Sequence, residues 1–165
     1  MYYLKLQIIL RPERGDSMIE EQYREGAVFL EQAVNIISQT GVKIVSLKKR
    51  YARIMLPFEP NINHIGTIYG GSLFILAEFS GGVIYYVSFD HTKFYPIVKE
   101  VFIQYRRPAT GDVYLDVELS SEQVDGIQNS AESHGKQDWT MELEIKDESG
   151  QVCCSVRGTW QLRRF

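Results

Sequence analysis

The chain has 165 residues, with 18 Lys and Arg set against 21 Asp and Glu for a formal charge of −3. That length fits one domain with a substantial core and is short for two large ones. The charge balance gives no global pull toward nucleic acid or an anionic membrane surface, so any anionic ligand must be met locally.

The opening Tyr2-Tyr3-Leu4-Lys5-Leu6-Gln7-Ile8-Ile9-Leu10 carries Lys5 and Gln7, lacks a small-residue cleavage site and has too short an apolar core for a signal peptide. It reads as mature protein. Ser17-Met18-Ile19-Glu20 matches a capping box, and Tyr23, Ala27, Leu30, Val34 and Ile37 then keep helical spacing as far as Gly41. An amphipathic helix packed on the body is predicted there, making residues 1–41 an N-terminal extension and 42–165 the core of a single domain. From Val42 to Phe58 the pattern is strand-like, with Ala52, Ile54, Leu56 and Phe58 alternating against Tyr51, Arg53 and Met55. Asn61 to Ile68 reads as a loop.

From about Gly71 to Val87 a helix is predicted that is apolar on nearly every face, as a helix enclosed by other elements is. The apolar window Leu73 to Phe89 falls short of the about 20 residues that a bilayer crossing needs, so no membrane span is expected. Four strands come next: Ile97 to Arg107, Asp112 to Ser120, Trp139 to Lys146 and Val152 to Arg163. In the second and third, Val113, Leu115, Val117 and Leu119, then Trp139, Met141, Leu143 and Ile145, point to one face. Pro108-Ala109-Thr110-Gly111 and Asp147-Glu148-Ser149-Gly150 read as turns joining antiparallel neighbours. Ser121 to Lys136 is polar and mixed and reads as a short exposed helix, with a loop as the alternative. By layer logic this order predicts an α+β fold in which one curved antiparallel sheet wraps a long central helix. Cys153 and Cys154 are adjacent in a strand and should face opposite ways, which disfavours a bridge between them and fits a reducing cytoplasm.

Glu78 is the only charged residue between Ile65 and Phe89. A lone carboxylate in apolar surroundings is costly and shifts its pKa upward, so it is a candidate base or nucleophile. The same helix begins at Gly70-Gly71, where backbone N–H groups and the helix dipole favour developing negative charge. Gly70 is therefore a candidate oxyanion donor. The eight residues from Gly70 to Glu78 span roughly 12 Å of helix, whereas a base must lie about 3 Å from the group it activates. One helix cannot bring both to one substrate, so if both act they come from two copies of the chain brought together in a dimer.

The run Asn63-His64-Ile65-Gly66-Thr67-Ile68-Tyr69-Gly70-Gly71, continued through Glu78, resembles the loop-and-helix signature of hotdog-fold thioesterases, above all the phenylacetate-type and 4-hydroxybenzoyl-CoA group and bacterial relatives with a Tyr-Gly-Gly turn. Ile103 to Val113, with Arg106-Arg107-Pro108, resembles the strand and turn that come after it in that family. The likeness spans roughly Val42 to Arg163. It implies a hotdog fold, a homodimer or dimer of dimers with sites at the interface, and hydrolysis of an acyl-CoA thioester without a cofactor beyond the coenzyme A of the substrate. It implies Glu78 as nucleophile or base, Gly70 N–H on the thioester oxygen and Asn63 orienting water or substrate. Tyr69, Gly71, His64 and Arg107 fall to substrate binding, Tyr69 standing where better-studied members have His.

Plainer roles compete with each of these. Glu78 can be a structural carboxylate, the glycines a close packing contact, and Asn63 a brace for its own loop. His64 is a loop histidine one place past the family's Asn or Gln position. Arg106 and Arg107 face opposite ways in a strand, so at most one meets the CoA phosphates. Lys48-Lys49-Arg50 reads as a solvated face. Three scattered histidines and two neighbouring cysteines lack metal-ligand spacing, and no phosphate-loop or dinucleotide fingerprint is present. Two rivals to a thioesterase remain: a non-catalytic acyl-CoA or lipid-binding hotdog protein, and a hydratase, which needs a histidine facing the carboxylate.

Overall fold

The computed structural model describes residues 18–165. Strand β1 (Met18–Ile19) is followed by a 3-10 turn and by helices α1 (Arg24–Gln32) and α2 (Asn35–Gln39). The predicted capping box begins at Ser17, outside the described residues. The continuous helix expected as far as Gly41 is a correction: Met18–Ile19 pairs in parallel with a strand, and the helix breaks at Val34, whose backbone is extended at φ −124° and ψ 121°. Val34 is consequently 48 % exposed, although the helical spacing had placed it inward. A tertiary tie sets the break. Glu31 accepts from the Ile44 N–H and from Lys43 Nζ, both at 2.8 Å, binding the end of α1 to the strand that comes after α2.

The stretch Val42 to Phe58 is not one strand but a hairpin of β2 (Lys43–Lys48) and β3 (Tyr51–Leu56). Its turn residue Arg50 has φ 63°, a conformation usually reserved for glycine or asparagine. Two tertiary bonds hold it: the Arg50 N–H donates to the Val87 carbonyl at 3.1 Å, and its carbonyl accepts from Leu119 N–H at 3.0 Å. Neither partner is near in sequence, so no local turn signal marks the site.

Helix α3 (Gly70–Ser88) then crosses the concave face, and β4 (Phe94–Tyr105), β5 (Val113–Glu118), α4 (Ser121–His134), β6 (Lys136–Asp147) and β7 (Val152–Arg164) complete the chain. The sheet order is β1-β2-β3-β5-β6-β7-β4. Because α3 carries the chain across the sheet, β4 lands at the far edge beside β7. Pro108 to Gly111 is therefore a crossover from that edge to β5, not the predicted turn between neighbours. Asp147 to Gly150 does join the antiparallel pair β6 and β7. The polar segment after β5 is helical as expected: Ser120 Oγ accepts from Gln123 N–H, Gln123 Oε1 accepts from Ser120 N–H, and Gly135 ends the helix at φ 80°.

The core is the interface of α3 with the sheet. Leu76, Ala77, Val83 and Ile84 are fully buried against sheet residues such as Ile54, Leu56, Val113, Leu115, Ile145 and Leu162. Burying each larger aliphatic side chain stabilises the fold by about 1.5 to 3 kcal/mol. At Gly81 the helix meets the Trp160 indole so closely that an added Cβ would lie 2.0 Å from Nε1. Among the described residues α3 is the one helix long and apolar enough to cross a membrane, and more than half of it is buried inside the protein. Cys153 and Cys154 are both buried and free.

Candidate functional site

A short loop positions the start of α3. Asn61 is buried, and its side-chain amide donates to the carbonyls of Thr40 and Pro57, each at 2.8 Å, while its backbone carbonyl accepts the Tyr69 N–H at 2.7 Å. One asparagine thus joins the N-terminal extension, the end of β3 and the helix start. Two residues on, Asn63 Oδ1 accepts from the N–H of Ile65 at 3.0 Å and of Thr67 at 3.1 Å, and Nδ2 donates to Thr67 Oγ1 at 2.9 Å. All these bonds stay within the loop, so within the protomer Asn63 acts as a brace. His64 stands exposed on the same loop.

Tyr69 is the N-cap, extended at φ −61° and ψ 131°. Its carbonyl accepts from Ser72 N–H at 3.0 Å and Leu73 N–H at 3.2 Å. The N–H groups of Gly70 and Gly71 have no acceptor among the described residues, as expected for the first turn of a helix. Two tyrosines cover this turn. The Tyr69 ring occupies the space where a Gly71 Cβ would stand, 2.3 Å away, and the Tyr105 ring lies 3.4 Å from a Cβ built on Gly70. Tyr105, at the end of β4, also donates from its hydroxyl to the Gly70 carbonyl at 2.9 Å.

Further along α3, Phe74, Glu78 and Gly82 fall four residues apart on one face that the sheet leaves partly uncovered. Phe74 is 40 % exposed, and Glu78 is half-buried. Its carboxylate has no hydrogen-bond or ion-pair partner among the described residues, and burial pushes its pKa above the ordinary 4.5. A Cβ added to Gly82, one turn on, would meet nothing within 4 Å, so open space adjoins the carboxylate. The helix is unbroken from Gly70 to Glu78, which leaves the glycine donors and the carboxylate roughly 12 Å apart along its axis. One protomer does not bring them together.

Arg106 and Arg107 both donate their backbone N–H to the Cys153 carbonyl, at 2.7 and 3.2 Å. The Arg106 guanidinium is engaged by Gln104 and by Ser155 Oγ. That of Arg107 has no such partner among the described residues and is exposed. The side chains that sequence reading missed are Asn61 and Tyr105. Asn61 carried a weak signal, an asparagine next to Pro60 just before the glycine turn; Tyr105 carried none, because its partner lies 35 residues away.

A mainly antiparallel sheet packed on one long helix that starts at a glycine pair is the hotdog architecture, and a solved relative at 34 % identity sets the chain in the thioesterase superfamily of that fold. The chain belongs to the family described as a domain of unknown function, DUF4442, whose profile matches residues 27–162. It is similar to PA5026 of Pseudomonas aeruginosa, a protein of unknown function designated a probable thioesterase, with 34 % identity over 90 % of this chain and 99 % of that one and a TM-score of 0.84. OLEI01261 of Chlorobaculum tepidum, of unknown function, is 19 % identical over 91 % and 99 % of the two chains with a TM-score of 0.77. The thioesterase HI1161 of Haemophilus influenzae is 18 % identical over 84 % and 90 % with a TM-score of 0.63. These last two share the fold. No curated protein matches the chain.

Proposed function

We propose that the protein is a homodimeric acyl-CoA thioesterase of a reducing, cytoplasmic compartment, in which Glu78 of one protomer and the Gly70 N–H of the other act on one thioester. The observation that carries this reading is a half-buried carboxylate on the open face of a helix, unpaired among the described residues, as are the first two N–H groups of that helix. Thioesterase names borne by proteins of this fold support the reaction type.

In this mechanism ionised Glu78 takes a proton from water, and the oxygen attacks the thioester carbon. The carbonyl electron pair moves onto oxygen, where the Gly70 N–H and the helix dipole stabilise it. Collapse of that intermediate breaks the C–S bond, and the departing thiolate takes the proton from Glu78. Arg107 meets the CoA phosphates by a bidentate contact. Tyr69, Gly71 and His64 line the substrate approach. The acyl group enters the space beside Phe74 and Gly82. No resident cofactor or metal takes part.

Pairing of protomers is supported by β4, a twelve-residue edge strand carrying Val98, Phe102 and Tyr105 at 42, 55 and 54 % exposure. An edge strand of this length with exposed apolar side chains can take up another strand.

The test is hydrolysis of a panel of aryl- and fatty-acyl-CoAs with thiol detection, comparing wild type with Glu78→Gln. Loss of a positioned base should slow turnover by about 10² to 10⁴-fold; an unchanged rate removes Glu78 from the reaction. Asn63, whose amide oxygen and one amide hydrogen are committed to its own loop, favours the second reading, an acyl-CoA binder. Tight binding with no thiol released is the outcome that selects it.

A further inference from the structure

The Gly70 carbonyl and the Gly71 N–H are the two ends of one planar peptide unit, so whatever holds the oxygen also aims the hydrogen. The Tyr105 hydroxyl donates to that oxygen at 2.9 Å, in addition to its place in the helical ladder of α3. It comes from β4, which is fixed by its own pairing with β7 through Tyr105 and Cys154, and not from the helix it touches. A hydrogen bond accepted at a peptide oxygen polarises the unit and strengthens its N–H as a donor. Meanwhile the Tyr69 ring closes the other side of the turn, so that any side chain at Gly71 would displace it.

We infer that Tyr105 is a positioning residue of the oxyanion site, orienting and polarising the Gly70–Gly71 peptide so that the Gly71 N–H serves as a second oxyanion donor beside that of Gly70. The inference rests on the thioesterase reading and adds to it a residue from a different element. The phenol keeps its proton in this role: burial first, then the neighbouring Cys154 and Tyr69, push its pKa above the ordinary 10.0. Tyr105 is therefore a donor across the whole pH range in which thioesters are assayed.

Tyr105→Phe keeps the ring against Gly70 and removes only the hydroxyl. With an acyl-CoA that the wild type hydrolyses, kcat should fall about tenfold, a fraction of the 10² to 10³ expected for loss of a whole donor, with KM within about twofold and the melting temperature unchanged. A dethia acyl-CoA ketone, which cannot be cleaved, reports the donor directly: its bound carbonyl stretch should lie at higher frequency in Tyr105→Phe than in wild type. Wild-type kcat together with an unmoved carbonyl stretch would overturn the inference. An equal fall in melting temperature and in kcat, with the stretch unmoved, overturns it too, since that is a purely structural role. Failure of the underlying reading looks different: there Glu78→Gln turns over like wild type, and the ketone frequency still judges Tyr105.

Discussion

In the proposed mechanism Glu78 links stability to chemistry. Burial raises its pKa above 4.5, the value it has when the chain is unfolded. Between that value and the raised one the folded chain holds a proton that the unfolded chain has released, so stability falls as pH rises through this window and the penalty persists at neutrality. Below pH 4.5 both states are protonated and the penalty disappears. Glu78→Gln should accordingly melt above the wild type near neutral pH and alongside it below pH 4.5, as read by thermal denaturation across pH. In the proposed mechanism turnover needs the ionised form, so its acid limb should sit above 4.5 and be absent from any residual activity of the variant. At the other end of the helix Gly70→Pro isolates a single hydrogen atom. Gly70 is the first helical residue, where proline fits, and Tyr69 already has the extended backbone that proline demands of its predecessor. The expected result is an unchanged helix content with kcat reduced by about 10² to 10³-fold; full activity in a folded Gly70→Pro protein would show that this N–H does not serve the oxyanion.

At the scale of elements, the seating of α3 on β7 depends on two glycines under one indole. Trp160 is 1 % exposed, and Cβ atoms built on Gly81 and Gly158 would fall 2.0 and 2.1 Å from its ring. Neither the helix backbone nor the ring has room to give. Gly81→Ala gains helix propensity yet should destabilise the protein by about 1 to 3 kcal/mol through overpacking. Thermal or denaturant unfolding reads this directly, and a stabilised Gly81→Ala would mean that α3 does not rest on Trp160 as described. The same seating matters for the site, because rotation of α3 to relieve that clash would turn the face bearing Phe74, Glu78 and Gly82 away from its open side.

For the whole molecule the decisive feature is a distance. The donors and the carboxylate lie at separate places on one rigid helix, so a shared site predicts complementation between two inactive chains. If the protein is the proposed homodimer, Glu78→Gln and Gly70→Pro, co-expressed, form mixed dimers in which one site has an intact carboxylate facing an intact glycine N–H. With random pairing of equal amounts, half of the dimers are mixed and half of their sites are whole, so activity should recover to about a quarter of wild type from two nearly inactive parents. Absence of recovery in a verified mixed dimer would place both groups of each site on one chain.

The central helix, its glycine start and its isolated carboxylate were legible in the sequence because each is a local property: an uncharged run, a breaker pair, one acid among apolar neighbours. The alternation in β5 and β6 and the reading of 121–134 as helix rest on the same short-range periodicity. What tertiary structure alone decided depends on partners far along the chain. The left-handed Arg50 is held by Val87 and Leu119, the break at Val34 reflects the tie from Glu31 to Ile44, and β4 reaches the sheet edge only because α3 carries it across the concave face. Tyr105 comes to rest on Gly70 for the same reason. Periodicity tells which side of an element is apolar, but not which distant element will cover it, since that is settled when chain closure brings remote surfaces together.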